Sequence, residues 1–257
     1  MLEILLYASA FAALLLFALW LYELAYADAG VVDVGWTAGV GILAVAFAFV
    51  TDGWWARRLL VAALAGAWSL RLAAYIVRDR IAGKEEDGRY RELRAHWGAN
   101  AHRNFLVFFE AQSPLIVLFA LPMLVLMENP AVGFAGFEIL GIAIWLIAVA
   151  GESVADYQLA AFRARPETRG RTCREGLWRY SRHPNYFFEW LHWWAYVAMG
   201  VGVERGWLTW LGPAVMLLFL FKLTGIPATE NHALRSRADY ADYQRTTSVF
   251  VPWFPRP

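Results

Sequence analysis

The sequence is short of charge, of cysteine and of metal-ligand spacings. Only 18% of its 257 residues are charged, where a soluble domain carries about a quarter. Its one cysteine, Cys173, excludes an intramolecular disulfide and any cysteine-rich metal centre. His183, His192 and His232 stand in no HxxxH or HxE arrangement, so no metal site is expected. No GxGxxG follows a strand pattern. The nearest approach, Gly200, Gly202 and Gly206, falls between two apolar runs, which excludes a soluble dinucleotide-binding domain. Internal repeats, low-complexity stretches and long linkers are also missing. Nothing marks a nucleic-acid partner.

What the chain has instead is apolar length. Hydrophobic residues make up 60% and alternate as long runs with short charged blocks, which is the membrane pattern. A helix needs roughly 20 residues to cross about 30 Å of hydrocarbon. Seven spans are predicted, at about 2–22, 34–51, 58–78, 104–127, 134–160, 185–203 and 207–226. The first run has Glu3 as its only early charge and lacks a basic leader, so it reads as a span and not as a signal peptide. Of the 14 tryptophans, Trp20, Trp54, Trp55, Trp207 and Trp210 fall at run ends, where an interfacial belt would put them. Gly35 and Gly39 form a small-xxx-small pair suited to close helix packing. The fold class expected is an all-α, seven-helix integral membrane bundle with cytosolic loops and an amphipathic C-terminal tail. It reads as one domain over 1–257, with early spans in 1–130 on the substrate side and a nucleotide-binding half in 131–257.

Charge orients the bundle. With seven spans, the 3/4 loop, the 5/6 loop and the tail share one side and carry 19 of the 23 basic residues. Arg57, Arg58 and Arg205 lie on the other side, and Arg71 lies within a span. The basic side should face the cytosol, with the N-terminus outside. Alanine- and arginine-rich usage points to a bacterial source, hence to an inner membrane.

Ionisable groups at membrane depth are costly and usually serve a site. Arg71, Tyr75 and Arg78 share one face of the third span at i, i+4 and i+7. Glu152, Asp156 and Arg163 share a face at the end of the fifth. The densest run is Tyr180-Ser181-Arg182-His183-Pro184-Asn185-Tyr186, followed by Glu189 and His192. Pro184 suits the first turn of a helix, because its missing N–H costs nothing there. A helix N-terminus beside arginines is a natural anion site. A fourth cluster, Glu230, Asn231, His232 and Arg235, leads to Tyr240, Asp242 and Tyr243 in a segment too polar to span. Each cluster also has a bland reading, as a snorkelling arginine, an ion pair, a packing network or a surface helix.

The run Gly176-Leu177-Trp178-Arg179-Tyr180-Ser181-Arg182-His183-Pro184-Asn185-Tyr186, with Glu189-Trp190, resembles the signature of the steroid 5-alpha-reductase superfamily, and its bacterial members in particular. The likeness extends back to Gly151–Asp156 and forward to Glu230–Tyr243, with a looser match at Val32–Trp36 and around Arg71. The resemblance implies a seven-helix membrane enzyme that uses NADPH to reduce a carbon–carbon double bond conjugated to a carbonyl, as in a 3-oxo-Δ4-steroid. It implies NADPH contacts at Asp156, Arg179, Tyr180, Asn185, Glu189, His232 and Arg235. Glu152 (where the family has asparagine), Arg163, Arg182, His183 and Tyr186 complete the candidate cofactor set. Animal relatives place a catalytic Glu–Tyr pair in the early spans; Asp33, Trp36, Arg71 and Tyr75 are the candidates for that region, and Gln112 is a further polar group at depth. Hydride would reach the β-carbon of the enone, leaving an enolate that positioned donors stabilise. The substrate, a steroid or another lipophilic molecule, would enter from the bilayer.

Two rivals stay open. A membrane methyltransferase of the isoprenylcysteine or phospholipid type also carries Arg-His-Pro-x-Tyr and binds S-adenosylmethionine. A non-enzymatic sterol-binding or scaffold protein would leave the buried ionisable groups without a use.

Overall fold

The computed structural model describes residues 1–223 and 225–256, and all regular structure among them is helical. Two compact units emerge. The first comprises residues 1–134 and 202–209, the second 135–201 and the chain from 210 onward.

The first unit is built on α1 (Leu2–Tyr26), α2 (Val31–Val50) and α3 (Trp55–Ile76). Beyond α3 the helix loosens into a π turn, Val77–Ile81. Then come α4 (Gly88–Trp97), α5 (Ala101–Glu110) and α6 (Ser113–Met127). The packing of α2 depends on absent side chains. A Cβ on Gly35 would sit 2.1 Å from Leu19 of α1, and one on Gly41 2.2 Å from Ser69 of α3. Asp87 caps α4 by accepting from the Arg89 N–H at 3.0 Å. The loop after α6 is held to the start of α3 by Arg57, buried to 2% exposure, whose guanidinium donates to the carbonyls of Asn129, Ala131 and Gly133.

The second unit has a 29-residue helix, α7 (Gly136–Ala164), paired antiparallel with α8 (Pro184–Met199). From Trp210 this unit continues with α9 (Leu211–Leu218), which runs into a π turn, Phe219–Leu223; the 3-10 turn ahead of it, Gly206–Trp210, begins in the first unit. The polar tail holds α10 (Ile226–Ser236) and α11 (Tyr240–Thr246).

Among the described residues, six helical stretches are long and apolar enough to cross a membrane: Leu2–Tyr26, Val31–Val50, Trp55–Ile81, Gly88–Met127, Gly136–Ala164 and Gly206–Ser236. Two of the expected spans differ in detail. The fourth, expected unbroken over 104–127, is interrupted at Ala111–Gln112, where Ser113 and Pro114 restart the helix as α6; a proline has no N–H to continue the ladder. The sixth, expected over 185–203, is only the 16 residues of α8, about 24 Å at 1.5 Å per residue, short of the hydrocarbon thickness. In the last stretch the polar part, α10, lies past the apolar run and carries exposed Asn231, His232 and Arg235.

Candidate functional site

The pairing of α7 with α8 sets the site. A Cβ on Gly141 would meet Met199 at 2.5 Å, and one on Gly151 would meet the Phe188 ring at 2.4 Å. Small residues on α7 therefore bring the two helices close, and each step back along one is a step forward along the other. At the polar end Asn185 donates to Asp156 at 3.4 Å. The same register sets Glu152 level with Glu189, one turn further in. Glu152, Asp156 and Glu189 are all buried, at 4, 4 and 8% exposure. Glu189 accepts from the Trp193 indole N–H at 3.1 Å, and His192 Nε2 lies 3.2 Å from the Tyr196 hydroxyl. Both links join residues one turn apart on α8, so these side chains are held in place by their own helix.

The loop before α8 is clamped from two sides. Toward α7, the Trp178 indole donates to the Ala155 carbonyl at 2.9 Å and the Leu177 N–H to Gln158 at 2.8 Å. Gly176 makes this possible: its φ is +55°, and a Cβ there would stand 2.3 Å from the Gln158 amide. Toward the tail, Ser181 Oγ donates to the Phe250 carbonyl, the Tyr243 hydroxyl to the carbonyls of Trp178 and Ser181, and the Trp253 N–H to the Tyr180 carbonyl. Arg182 is the hub. Its Nε donates to Glu230 at 2.6 Å, and its NH1 to the carbonyls of Gln244 and Thr247 at 2.9 and 2.8 Å. Glu230 also receives Gln244 at 2.8 Å and Tyr240 at 3.3 Å, and lies 3.2 Å from His183 Nε2. Burial alone would raise the Glu230 carboxyl, but hydrogen bonds from His183 and Arg182 bring it down to about 2. Burial pushes the His183 imidazole below its ordinary value, against the pull of Glu230. A neutral imidazole donating Nε2–H to the carboxylate fits both directions.

The twelve residues expected at the cofactor thus divide. Arg182 and His183 tie the tail to the loop, and the His183 ring stacks on Tyr186 at 5.2 Å between centroids. Tyr186 also reaches Thr229 at 3.3 Å. Asp156, Asn185, Glu152 and Glu189 form the buried α7–α8 group. Tyr180 sits edge-on to Phe254. Arg179, His232 and Arg235 are exposed, and none of their side chains has a hydrogen-bond or ion-pair partner among the described residues. Arg163 is exposed in the last turn of α7. Burial, and then the like charge of Arg163, pulls the half-buried Arg237 guanidinium below its ordinary value. Arg237 was not expected at the site; a tail arginine carries no periodic signal that distinguishes it from its neighbours. Gln158 and Gln244 were missed for the same reason.

The four catalytic candidates lie in the first unit, in three separate settings. Asp33 accepts from Arg89 at 2.9 Å and from Tyr90 at 2.7 Å, and Arg80 lies 3.5 Å away. That ion cluster fastens α4 and the π turn to α2. Trp36 packs edge-on between Trp68 and Phe119. The Arg71 guanidinium lies over the Tyr75 ring, 5.8 Å from its centroid. Gln112 donates back to the Phe108 carbonyl at 3.3 Å, at the break between α5 and α6. No group of three or more metal-ligating side chains occurs among the described residues.

A family model described as "Protein of unknown function (DUF1295)" matches residues 19–247. No curated protein and no solved structure matches the chain.

Proposed function

The chain belongs to the DUF1295 family, and from the resemblance of its Gly176–Trp190 stretch and the α7–α8 geometry we propose that it is a membrane reductase of the steroid 5-alpha-reductase kind. It would use NADPH to reduce a carbon–carbon double bond conjugated to a carbonyl in a lipophilic substrate such as a 3-oxo-Δ4-steroid. The proposal includes a seventh crossing by α8, an inner-membrane location and a cytosolic C-terminus.

The observation that carries the reading is the Asp156–Asn185 pair, with Glu152 and Glu189 a turn deeper. Buried ionisable groups on facing helices are expensive and mark function. A carboxylate and a carboxamide offer the acceptors and donors that a ribose or carboxamide-bearing ring needs. In the same unit, Arg179, Arg235 and His232 are exposed and uncommitted among the described residues, and Arg163 and Arg237 bring two like charges together. A phosphate-rich ligand would relieve that repulsion. The residues present therefore fit a dinucleotide, with Asp156, Asn185 and Glu189 on its uncharged parts and the arginines on its phosphates.

When bound, the dinucleotide would supply a hydride for the β-carbon of the enone. In the first unit Arg71 and Tyr75 are the donors suited to a carbonyl oxygen that gains negative charge. Asp33, committed to Arg89 and Tyr90, has a positioning role instead. Trp36 offers a flat apolar wall. The shared Arg182-His183-Pro184-x-Tyr186 stretch does not separate this reading from the methyltransferase one, because Arg182 and His183 serve the tail. Asp156 and Asn185 fit the reductase pattern and favour that reading.

Binding tests the proposal. Titrating NADPH into the purified protein should quench tryptophan emission saturably in the wild type and about tenfold more weakly in Asn185→Ala, the loss expected for one hydrogen bond to a charged or polar partner. Equal affinity in Asn185→Ala and Asp156→Ala would remove that pair from the site.

A further inference from the structure

The glycines of the transmembrane part of the first unit fall into two kinds. Gly35 and Gly41 are required by helix approach, as described above. Gly66, in the middle of α3, is not: a Cβ there meets only Val45 Cγ2, at an ordinary 3.5 Å. Glycine in a helix interior costs about 1 kcal/mol relative to alanine, and no close packing asks for it here. Its missing side chain opens a groove of about 370 Å³ between α2 and α3, lined by Val45 and Phe49 on one side and Leu59, Ala63 and Gly66 on the other. Phe49 and Leu59 are exposed, at 78 and 52%. The volume is on the scale of small-molecule sites, roughly 300–1,000 Å³, and the lining is apolar throughout.

Two features identify the occupant. The groove follows α3 from Leu59 to Ala67, about 12 Å at 1.5 Å per residue. That is under half of a hydrocarbon core about 30 Å thick, the depth of one leaflet. A groove of that length matches the part of one acyl chain that lies in one leaflet. Arg58 lies on α3 one turn before Ala62, which lines the groove. Its NH1 donates to the Thr51 carbonyl, and its buried Nε has no hydrogen-bond partner among the described residues. The N-terminal end of the 22-residue α3 adds to the local preference for an anion.

We propose that this groove seats one acyl chain of an anionic phospholipid, in the leaflet at the N-terminal end of α3, with Arg58 as the counter-charge to its phosphate. The site rests only on the chain lying in a membrane; a failure of the reductase reading would leave it untouched.

Native mass spectrometry of the full chain, delipidated and then given phosphatidylglycerol or phosphatidylcholine, tests it. The wild type should retain a single lipid and prefer phosphatidylglycerol about fivefold, the scale of a partly exposed ion pair. Gly66→Leu should abolish both adducts. Arg58→Gln should keep chain binding and lose the headgroup preference. Gly66→Ala, which favours the helix, should weaken retention while keeping the fold, as read by circular dichroism. Equal retention by wild type, Gly66→Ala and Gly66→Leu would overturn the proposal. So would a preference that survives Arg58→Gln, or a dimer that Gly66→Leu dissolves with no lipid bound to either form.

Discussion

Arg179 and Arg182 are three positions apart and differ in what they are free to do. Arg182 spends its guanidinium on Glu230, Gln244 and Thr247, whereas Arg179 is exposed and uncommitted among the described residues. Arg182→Ala should therefore lower stability by about 2 kcal/mol or more, since it strands a largely buried carboxylate. Arg179→Ala should leave the melting temperature unchanged and weaken NADPH binding in a salt-dependent way; paired thermal melts and titrations would check both. The same knot sets an acid limit. Glu230 is held near 2, below its ordinary 4.5, so the stability it lends is complete above 4.5 and is lost as the pH falls toward 2. His183 is held below 6.5, so its share is present above that value and declines as the pH falls past it. Protease nicking of the tail should rise on acidification from about pH 6.5 downward, and Glu230→Gln should flatten the lower part of that curve. At this scale the sequence reveals which residues are unusual but not how they are spent. Arg182 and His183 look like ligand residues because they adjoin a helix start rich in polar groups. Their commitment depends on Glu230, 48 positions away from Arg182, a pairing that no local spacing encodes.

Among the elements, α8 departs most from its sequence pattern. Pro184 marks its start as expected, but the helix stops at Met199, since Gly200 and Gly202 cannot sustain it. Its partner α7 was legible in existence and rough extent, expected over 134–160 and found at Gly136–Ala164, because a long apolar run has few alternatives. The break between α5 and α6 was not legible: hydropathy averages over Ala111–Gln112, and only Ser113-Pro114 hinted at a restart. The loop that feeds α8 depends on one backbone conformation. Gly176→Ala would force a side chain into a positive-φ position and against Gln158, at a cost of about 1–2 kcal/mol. Chemical denaturation in mixed micelles should show that loss. Gln158→Ala alone should cost less, since it removes a hydrogen bond without straining the backbone.

For the whole molecule, the all-helical class and the apolar stretches were readable from run length and charge alone. The assignment of 202–209 to the first unit was not, because no linker or change of composition marks that segment. The charge distribution carries one prediction of its own. With Cys173 replaced by serine, a cysteine at Lys84 should react with an impermeant thiol reagent only in inverted vesicles, and one at Arg205 only in intact cells; the opposite pattern would reverse the orientation. The proposed chemistry is tested most directly by following the reaction itself. The purified protein should be incubated with NADPH and a 3-oxo-Δ4-steroid, with S-adenosylmethionine in a parallel sample, and the products read by mass spectrometry. A gain of two hydrogens that requires NADPH and is lost in Asn185→Ala is the predicted result. Methyl transfer from S-adenosylmethionine without reduction would contradict the account and give the Asp156–Asn185 pair to a different cofactor.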